Sequence, residues 1–239
     1  MDESIKYKRV LLKLSGEALG KDGKGILNYD ILKNISAKIK TCINMGVSFA
    51  IVVGAGNIWR GSFGKSMDGV RADHMGMIAT VINALALQDV LESDAIETRV
   101  MTAIEMNQVA EPYIRNKALS HLKKGRVCIF AGGTGSPYFT TDTAAVMRAK
   151  EINADIVLLG KNNADGVYSA DPNKFPDAKM FDNLNYQHIL IDKNLGVMDN
   201  TAASYSMDNN IPILVIGIDD TENIIRALKG EKIGTMIKN

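Results

Sequence analysis

The sequence predicts an α/β protein, a three-layer α/β/α sandwich around a mainly parallel twisted sheet. Three observations carry that expectation. Short apolar runs rich in β-branched residues, such as RVLLKL at Arg9–Leu14 and VCIFA at Val127–Ala131, alternate with longer stretches of helical period. Several of these runs end directly in glycine turns that lead into helices, as parallel connections do. The chain of 239 residues is also long enough to bury a substantial core. It reads as one domain over 1–239, with an approximate division into lobes at 1–150 and 151–239.

Bulk properties narrow the function. With 28 basic and 27 acidic residues the net charge is +1, so no global field points to nucleic acid or a membrane surface. Cys42 and Cys128 lie in apolar surroundings without CxxC or metal-ligand spacing and read as reduced core thiols. The start MDESIKYKRV lacks an apolar signal core, and no unbroken run of about 18 apolar residues occurs. A cytoplasmic protein is expected.

Taken in order, Arg9–Leu14 is the first strand and stops at Ser15-Gly16. Its one lysine, Lys13, either faces water on an edge strand or points over the carboxyl ends of the strands, where open α/β sheets bind ligands. Its place just before the turn favours the second. Gly20, Lys21, Asp22, Gly23, Lys24 and Gly25 contain no apolar side chain and read as a loop. Asn28 caps a helix running to about Met45, and Gly46 closes it. A second strand over 47–53 runs into Gly54-Ala55-Gly56-Asn57-Ile58-Trp59-Arg60-Gly61. Trp59 stands where a GxGxxG motif needs its third glycine, and no GxxxxGK[ST] exists, so neither a dinucleotide fingerprint nor a P-loop is present. Arg60 still lies within reach of a phosphate on that turn.

Residues 62–71 read as a loop. A long helix over 73–93, apolar on more than one face, is expected to be buried in the domain or against another subunit. Asp73 at its start is either a cap or a carboxylate offered to a ligand hydroxyl. A strand at Thr98–Thr102 follows, then a helix opened by Glu111-Pro112 and ended by Gly125. The strand at Val127–Ala131 leads through Gly132-Gly133-Thr134-Gly135-Ser136-Pro137-Tyr138-Phe139-Thr140-Thr141 to a helix over 142–153, capped by Thr141 or Asp142. A strand, a glycine turn and a helix start make an anion site from backbone N–H groups. The cluster of hydroxyls there exceeds what one cap requires.

A strand at 156–159 precedes Gly160-Lys161-Asn162, then the turns Asp165-Gly166 and Asp171-Pro172. Between those turns Tyr168 offers a flat ring to a base, and Asp171 a carboxylate to a ribose or amino group. Grouping of these residues near Lys161 would distinguish a binding segment from a surface hairpin. Asp199 caps a short helix over 201–207. A strand at 211–216, a helix from Asp220 to Leu228 and a last strand at Thr235–Ile237 complete the chain.

Lys13-Leu14-Ser15-Gly16, GAGNIWRG from Gly54, DHMGM from Asp73, GTGSPYFTTD from Gly133 and DGVYSADP from Asp165 occur in this order. With them the chain resembles the bacterial UMP kinases, of the amino-acid kinase (carbamate kinase-like) fold, essentially end to end. One departure is Ala55, where the family usually has the middle glycine of GGGN. The resemblance implies transfer of the ATP γ-phosphoryl to UMP, with Mg²⁺ carried by the phosphates and no protein metal site. It implies ATP contacts at Lys13, Leu14, Ser15, Gly16, Gly56, Asn162, Tyr168 and Asp171. UMP contacts would fall at Ala55, Arg60, Asp73 and the run Thr134, Gly135, Ser136, Pro137, Tyr138, Phe139, Thr140, Thr141. Lys13 and Lys161 would carry charge on the transferring phosphoryl, and Asp142 would orient a lysine or the metal shell.

The family is typically a homohexamer built from dimers, which makes the helix over 73–93 the candidate interface. GTP and UTP are its candidate effectors, and the Gly20 to Gly25 loop matches a segment tied to GTP activation. Gln88 and Glu92 stand where Gram-negative members tend to carry Arg and His, leaving Arg99 and Arg126, so a modest GTP response is expected. Two rival readings are an amino-acid or carbamate kinase of the same fold and a non-catalytic nucleotide- or oxyanion-binding protein.

Overall fold

The apolar runs assemble as their periodicity requires. In the computed structural model, which describes residues 5–20, 25–60, 66–162, 164–172, 174–192 and 195–239, they form one nine-stranded sheet. In chain order the elements are β1 (Arg9–Leu14), α1 (Gly16–Leu19), α2 (Tyr29–Asn44), β2 (Ser48–Val53), α3 (Gly69–Ser93), β3 (Thr98–Thr102), β4 (Glu111–Pro112) and α4 (Arg115–Lys123). There follow β5 (Val127–Ala131), α5 (Thr141–Glu151), β6 (Ile156–Lys161), β7 (Asn183–Leu184), α6 (Tyr186–Ile191), α7 (Asn200–Asn209), β8 (Ile213–Gly217), α8 (Glu222–Leu228) and β9 (Thr235–Ile237).

The strand order is β4-β3-β5-β2-β1-β6-β8-β9-β7, parallel except where β8 meets β9. β1 is the central strand, with Lys13 paired to Val52 of β2 on one side and Leu159 of β6 on the other. The edge-strand alternative for Lys13 is therefore excluded. The chain winds outward from β1 toward β4, then returns to the other side through β6 and β8. That reversal opens a crevice at the carboxyl ends of the central strands, the usual ligand site of such sheets.

Strand alternation divides the core into two layers. Leu12, Leu14, Ile51, Val53, Ile129 and Leu158 pack with α2, α3 and α8 on one face. Leu11, Val52, Cys128, Phe130, Val157 and Leu159 pack with α4 to α7 on the other. Each such fully buried side chain contributes roughly 1.5–3 kcal/mol. Lys13 shares the second face with Leu11, which aims it at α5. Burial pushes both thiols, Cys42 and Cys128, up to about 12, so neither is a reactive thiolate at neutral pH.

Several boundaries differ from the sequence expectation; β6 runs on through Lys161, and Thr221, not Asp220, is the N-cap of α8. α3 begins at Gly69, because Asp68 caps it by accepting the Arg71 N–H at 3.1 Å. Asp73 is thus inside the helix rather than its cap. Glu111–Pro112 is an edge strand beside β3 and does not open a helix; α4 starts after Ile114. Thr140, not Thr141 or Asp142, caps α5. The segment ahead of Asp199 adds β7 and α6, which a sequence with mixed polar and apolar residues did not announce. By length and composition α3 could cross a bilayer, but half of its apolar window is buried in the domain, as a core helix requires.

Candidate active site

Lys13 is the penultimate residue of β1, ahead of the fully buried Leu14, and β1 delivers its ammonium to the first turn of α5. There Lys13 Nζ meets Asp142 Oδ1 at 2.6 Å, both side chains being mostly buried. Asp142 is fixed in turn, since its N–H donates to the Thr140 hydroxyl at 3.1 Å. Lys161, the last residue of β6, donates to the Val197 carbonyl at 2.7 Å. Burial lowers its pKa below the ordinary lysine value; the Asp142 carboxylate opposes that shift, and the Lys13 ammonium adds to it. Two ammonium groups around one carboxylate at a helix start leave a net positive centre, suited to an anion.

Two glycine turns border this centre. The first runs from Gly54, whose N–H donates to the Leu14 carbonyl at 2.8 Å. It presses so closely on the start of α1 that a Cβ on Gly16 would lie 2.5 Å from the Gly56 nitrogen and the Asn57 Oδ1. Only glycine fits at Gly16. Ser15 spends its hydroxyl capping α1, accepting the Ala18 N–H at 3.3 Å, and Leu14 is fully buried, so backbone atoms are what these two positions can offer a phosphate. The second turn follows β5, where Gly132, Gly133 and Gly135 all adopt positive φ. Thr134 closes it by accepting the Ser136 N–H at 3.1 Å. Tyr138, also at positive φ, is held by donation of its N–H to Asp73 Oδ2 at 2.7 Å.

Three hollows are lined by residues of the glycine turns, the start of α5 and the end of β6. One of about 280 Å³ is lined by residues that include Ala55, Trp59, Asp73, Thr80, Phe139, Thr140 and Thr141. Thr134, Gly135, Ser136, Pro137 and Tyr138 do not line it; they form the turn and the exposed lip beyond. A second, of about 220 Å³, brings Lys161, Tyr168 and Asp171 together with Gly196 and Val197. A surface hairpin alone would not have grouped them. Asn162 is elsewhere, in a groove of about 300 Å³ with Glu17, Gly20, Gly25, Gly56 and Arg60. Arg60 does not reach the first hollow. Its guanidinium pairs with Glu17, and its Nε donates to the Gly56 carbonyl at 3.3 Å. Lys21, Asp22, Gly23 and Lys24 lie outside the described residues.

Sequence reasoning missed four residues that shape the site. Asp199 was expected only as a cap, yet its carboxylate also accepts the hydroxyls of Thr140 and Thr143 and so ties α5 to α7. Trp59 was read only as the missing glycine. Glu17 and Asn83 gave no pattern to find them by, since neither belongs to a local motif with a chemical signature. Among the described residues no group of three His, Cys, Asp or Glu side chains has metal-holding geometry.

A parallel sheet that gathers two lysines, a helix start and two glycine turns at its central reversal, without a P-loop, defines a phosphotransferase-type protein. The comparisons agree. The model of the amino acid kinase family matches residues 8–217. The uridylate kinase of Limosilactobacillus reuteri (strain DSM 20016) is 56% identical over 236 residues, 98% of each chain. The crystal structure of UMP kinase from Bacillus anthracis superposes with a TM-score of 0.93 at 42% identity, covering 97% of this chain and 96% of that one. The UMP kinase from Ureaplasma parvum gives 0.92 at 36% identity, covering 98% and 100%. The chain belongs to the amino acid kinase family, among its uridylate kinases.

Proposed function

We propose that this chain is a UMP kinase, which transfers the γ-phosphoryl group of ATP to UMP and yields UDP and ADP in pyrimidine nucleotide synthesis. The observation that carries the reading is the Lys13–Asp142 pair at the start of α5, set between two glycine turns at the centre of the sheet. In the reaction a UMP phosphate oxygen attacks the γ-phosphorus, and the bond from that phosphorus to the β,γ-bridging oxygen breaks. The acceptor phosphate is already anionic at neutral pH, so no base is required. The work is positioning and charge neutralisation.

In this reading Lys13 and Lys161 neutralise the transferring phosphoryl. Asp142 holds Lys13 in place. The backbone of Leu14, Ser15, Gly16 and Gly56 meets the ATP phosphates. Tyr168 and Asp171 take the adenine and ribose, and Asn162 guards the phosphate end of the donor site. Ala55, Asp73, Phe139, Thr140 and Thr141 hold UMP, the turn from Thr134 to Tyr138 closes over its base, and Arg60 leaves Glu17 for the UMP phosphate. Mg²⁺, held by the ATP phosphates, would supply screening of the donor charge. The acceptor then belongs to the lobe at 1–150 and the donor's base and ribose to 151–239, with the donor phosphates between them. The chain works in the cytoplasm as a homo-oligomer, a hexamer by family resemblance, through the outer face of α3. GTP and UTP are the candidate effectors, with Gly20 to Gly25 as the responsive loop.

The test is ADP release with ATP and Mg²⁺ against UMP, CMP, dUMP, AMP, carbamate, glutamate and aspartate. Turnover with UMP, reduced at least about a hundredfold in Lys13→Ala and Arg60→Ala, is expected for lost transition-state charge stabilisation. Turnover with carbamate or an amino acid would overturn the acceptor and leave the fold intact.

A further inference from the structure

Helix α3 is apolar along most of its length, yet its inner face carries two buried polar side chains less than one turn apart. Thr80 is 2% exposed and Asn83 is 0% exposed. Neither serves the helix's own stability well. Burying a hydroxyl or an amide is unfavourable unless every hydrogen bond is restored. One bond stays within the helix, and the others are long-range and specific. Thr80 donates its hydroxyl to the Met77 carbonyl at 2.6 Å and accepts the Gly132 N–H at 2.8 Å. Asn83 donates to the Gly54 carbonyl at 2.7 Å. It also forms a reciprocal amide pair with Asn57, donating to Oδ1 at 2.8 Å and accepting from Nδ2 at 3.0 Å. The Asn57 amide reaches on to the Ile26 carbonyl at 2.7 Å, at the near end of the segment after Gly25.

Each of these two side chains therefore seizes the first residue of one glycine turn. Thr80 grips the turn after β5, and Asn83 grips the turn after β2. We infer that Thr80 and Asn83 are positioning residues, which set the two glycine turns in register with each other through one rigid helix. The inference rests on the UMP kinase reading for its kinetic consequences and not for its geometry. Thr80 lines the acceptor hollow, but its hydroxyl is committed to the Met77 carbonyl and the Gly132 N–H; Asn83 lines none of the three hollows and acts through the Gly54 turn. The division of labour is unequal. The turn at Gly132 borders only the acceptor hollow, through Gly133, whereas Gly56 borders both that hollow and the groove beside Arg60.

Thr80→Val keeps the shape and removes the hydroxyl, leaving the Gly132 N–H without its acceptor. KM for UMP should rise about tenfold, with KM for ATP and kcat little changed, because one hydrogen bond that orders the bound acceptor is lost. Thr80→Ser, which keeps the hydroxyl, should restore the wild-type value. Asn83→Asp, unable to donate to Gly54 or Asn57, should raise both KM values. A nucleotide-free arm reads the geometry directly. Amide hydrogen exchange at Gly132 should speed up about tenfold in Thr80→Val and return to normal in Thr80→Ser. Unchanged exchange and unchanged KM in Thr80→Val would overturn the inference, as would an equal rise in both KM values for that variant. Absence of UMP turnover in the wild type would instead sink the proposed activity, and the exchange arm would still decide the positioning role.

Discussion

Lys161 is the residue on which the electrostatics of the site are most exposed to test. It lies at the end of a central strand, and its ammonium has one carbonyl and one nearby carboxylate to replace bulk water. Burial therefore sets its folded pKa below the ordinary 10.5. Below that folded value the group is protonated in both states, and the buried charge costs the folded chain stability. As pH rises from the folded value toward 10.5, the folded chain has lost a proton that the unfolded chain still holds, so stability increases across that window. Lys161→Met abolishes the titration. The urea midpoint of wild type should gain on that of Lys161→Met as pH is raised through the window, and parallel curves would refute the depressed value. The same lysine shows what a sequence does and does not disclose at this scale. Lys13 was legible because a charged residue interrupting an apolar strand just before its turn is conspicuous, whereas Lys161, read as part of the turn after Leu159, took its role only from the family resemblance. The Glu17–Arg60 pair was not, because it joins a helix and a loop 43 positions apart in the chain with no periodicity linking them.

At the scale of elements, strands and the helices that they feed were legible because a buried parallel strand has a compositional signature and a glycine after it. β1, β3, β5 and β9 fall where the apolar runs put them. The misplacements came where local chemistry competes. Asp68 and Asp73 are both plausible caps, and the choice was decided by which carboxylate reaches a free N–H at the helix start; Asp73 instead serves Tyr138, across the site. Glu111–Pro112 carries a helix-opening signal but is drawn into the sheet edge by β3. The packing of α1 against the first glycine turn makes a sharp prediction. Gly16→Ala places a methyl 2.5 Å from Gly56 and Asn57, so the turn must move. A displacement of that kind costs about 1–3 kcal/mol in stability and about a hundredfold in kcat/KM, since phosphoryl transfer depends on placement. Gly46→Ala is the control. It also sits at positive φ, 89°, but meets nothing within 4 Å, so it should cost only about 1–2 kcal/mol of backbone strain with activity intact. Equal losses of activity in the two variants would show that general destabilisation, not the turn, is responsible.

At the scale of the molecule, α3 has two working faces. Its inner face holds the glycine turns, and its outer face exposes Met75, Ile78 and Ile82, at 39%, 49% and 46%. Spacings of three and four residues put these three on one stripe, roughly opposite Thr80 and about a quarter-turn or more from Asn83. An apolar stripe of this kind on a soluble surface is costly unless covered, and a second copy of the same helix is the cover that a homo-oligomer supplies. Replacing Ile78 and Ile82 together by Glu would force two carboxylates into such an interface, a cost of several kcal/mol. Light scattering should then report a smaller species than wild type at the same concentration, with circular dichroism showing the helices retained. An unchanged mass would place the interface on another surface, and a monomeric wild type would remove the need for one. Because the same rigid helix carries Thr80 and Asn83, the dissociated variant should also bind UMP more weakly than the parent, although Ile78 and Ile82 contact neither glycine turn. Dissociation with undiminished UMP binding would mean that assembly and the acceptor site are independent, and that α3 transmits nothing between its two faces.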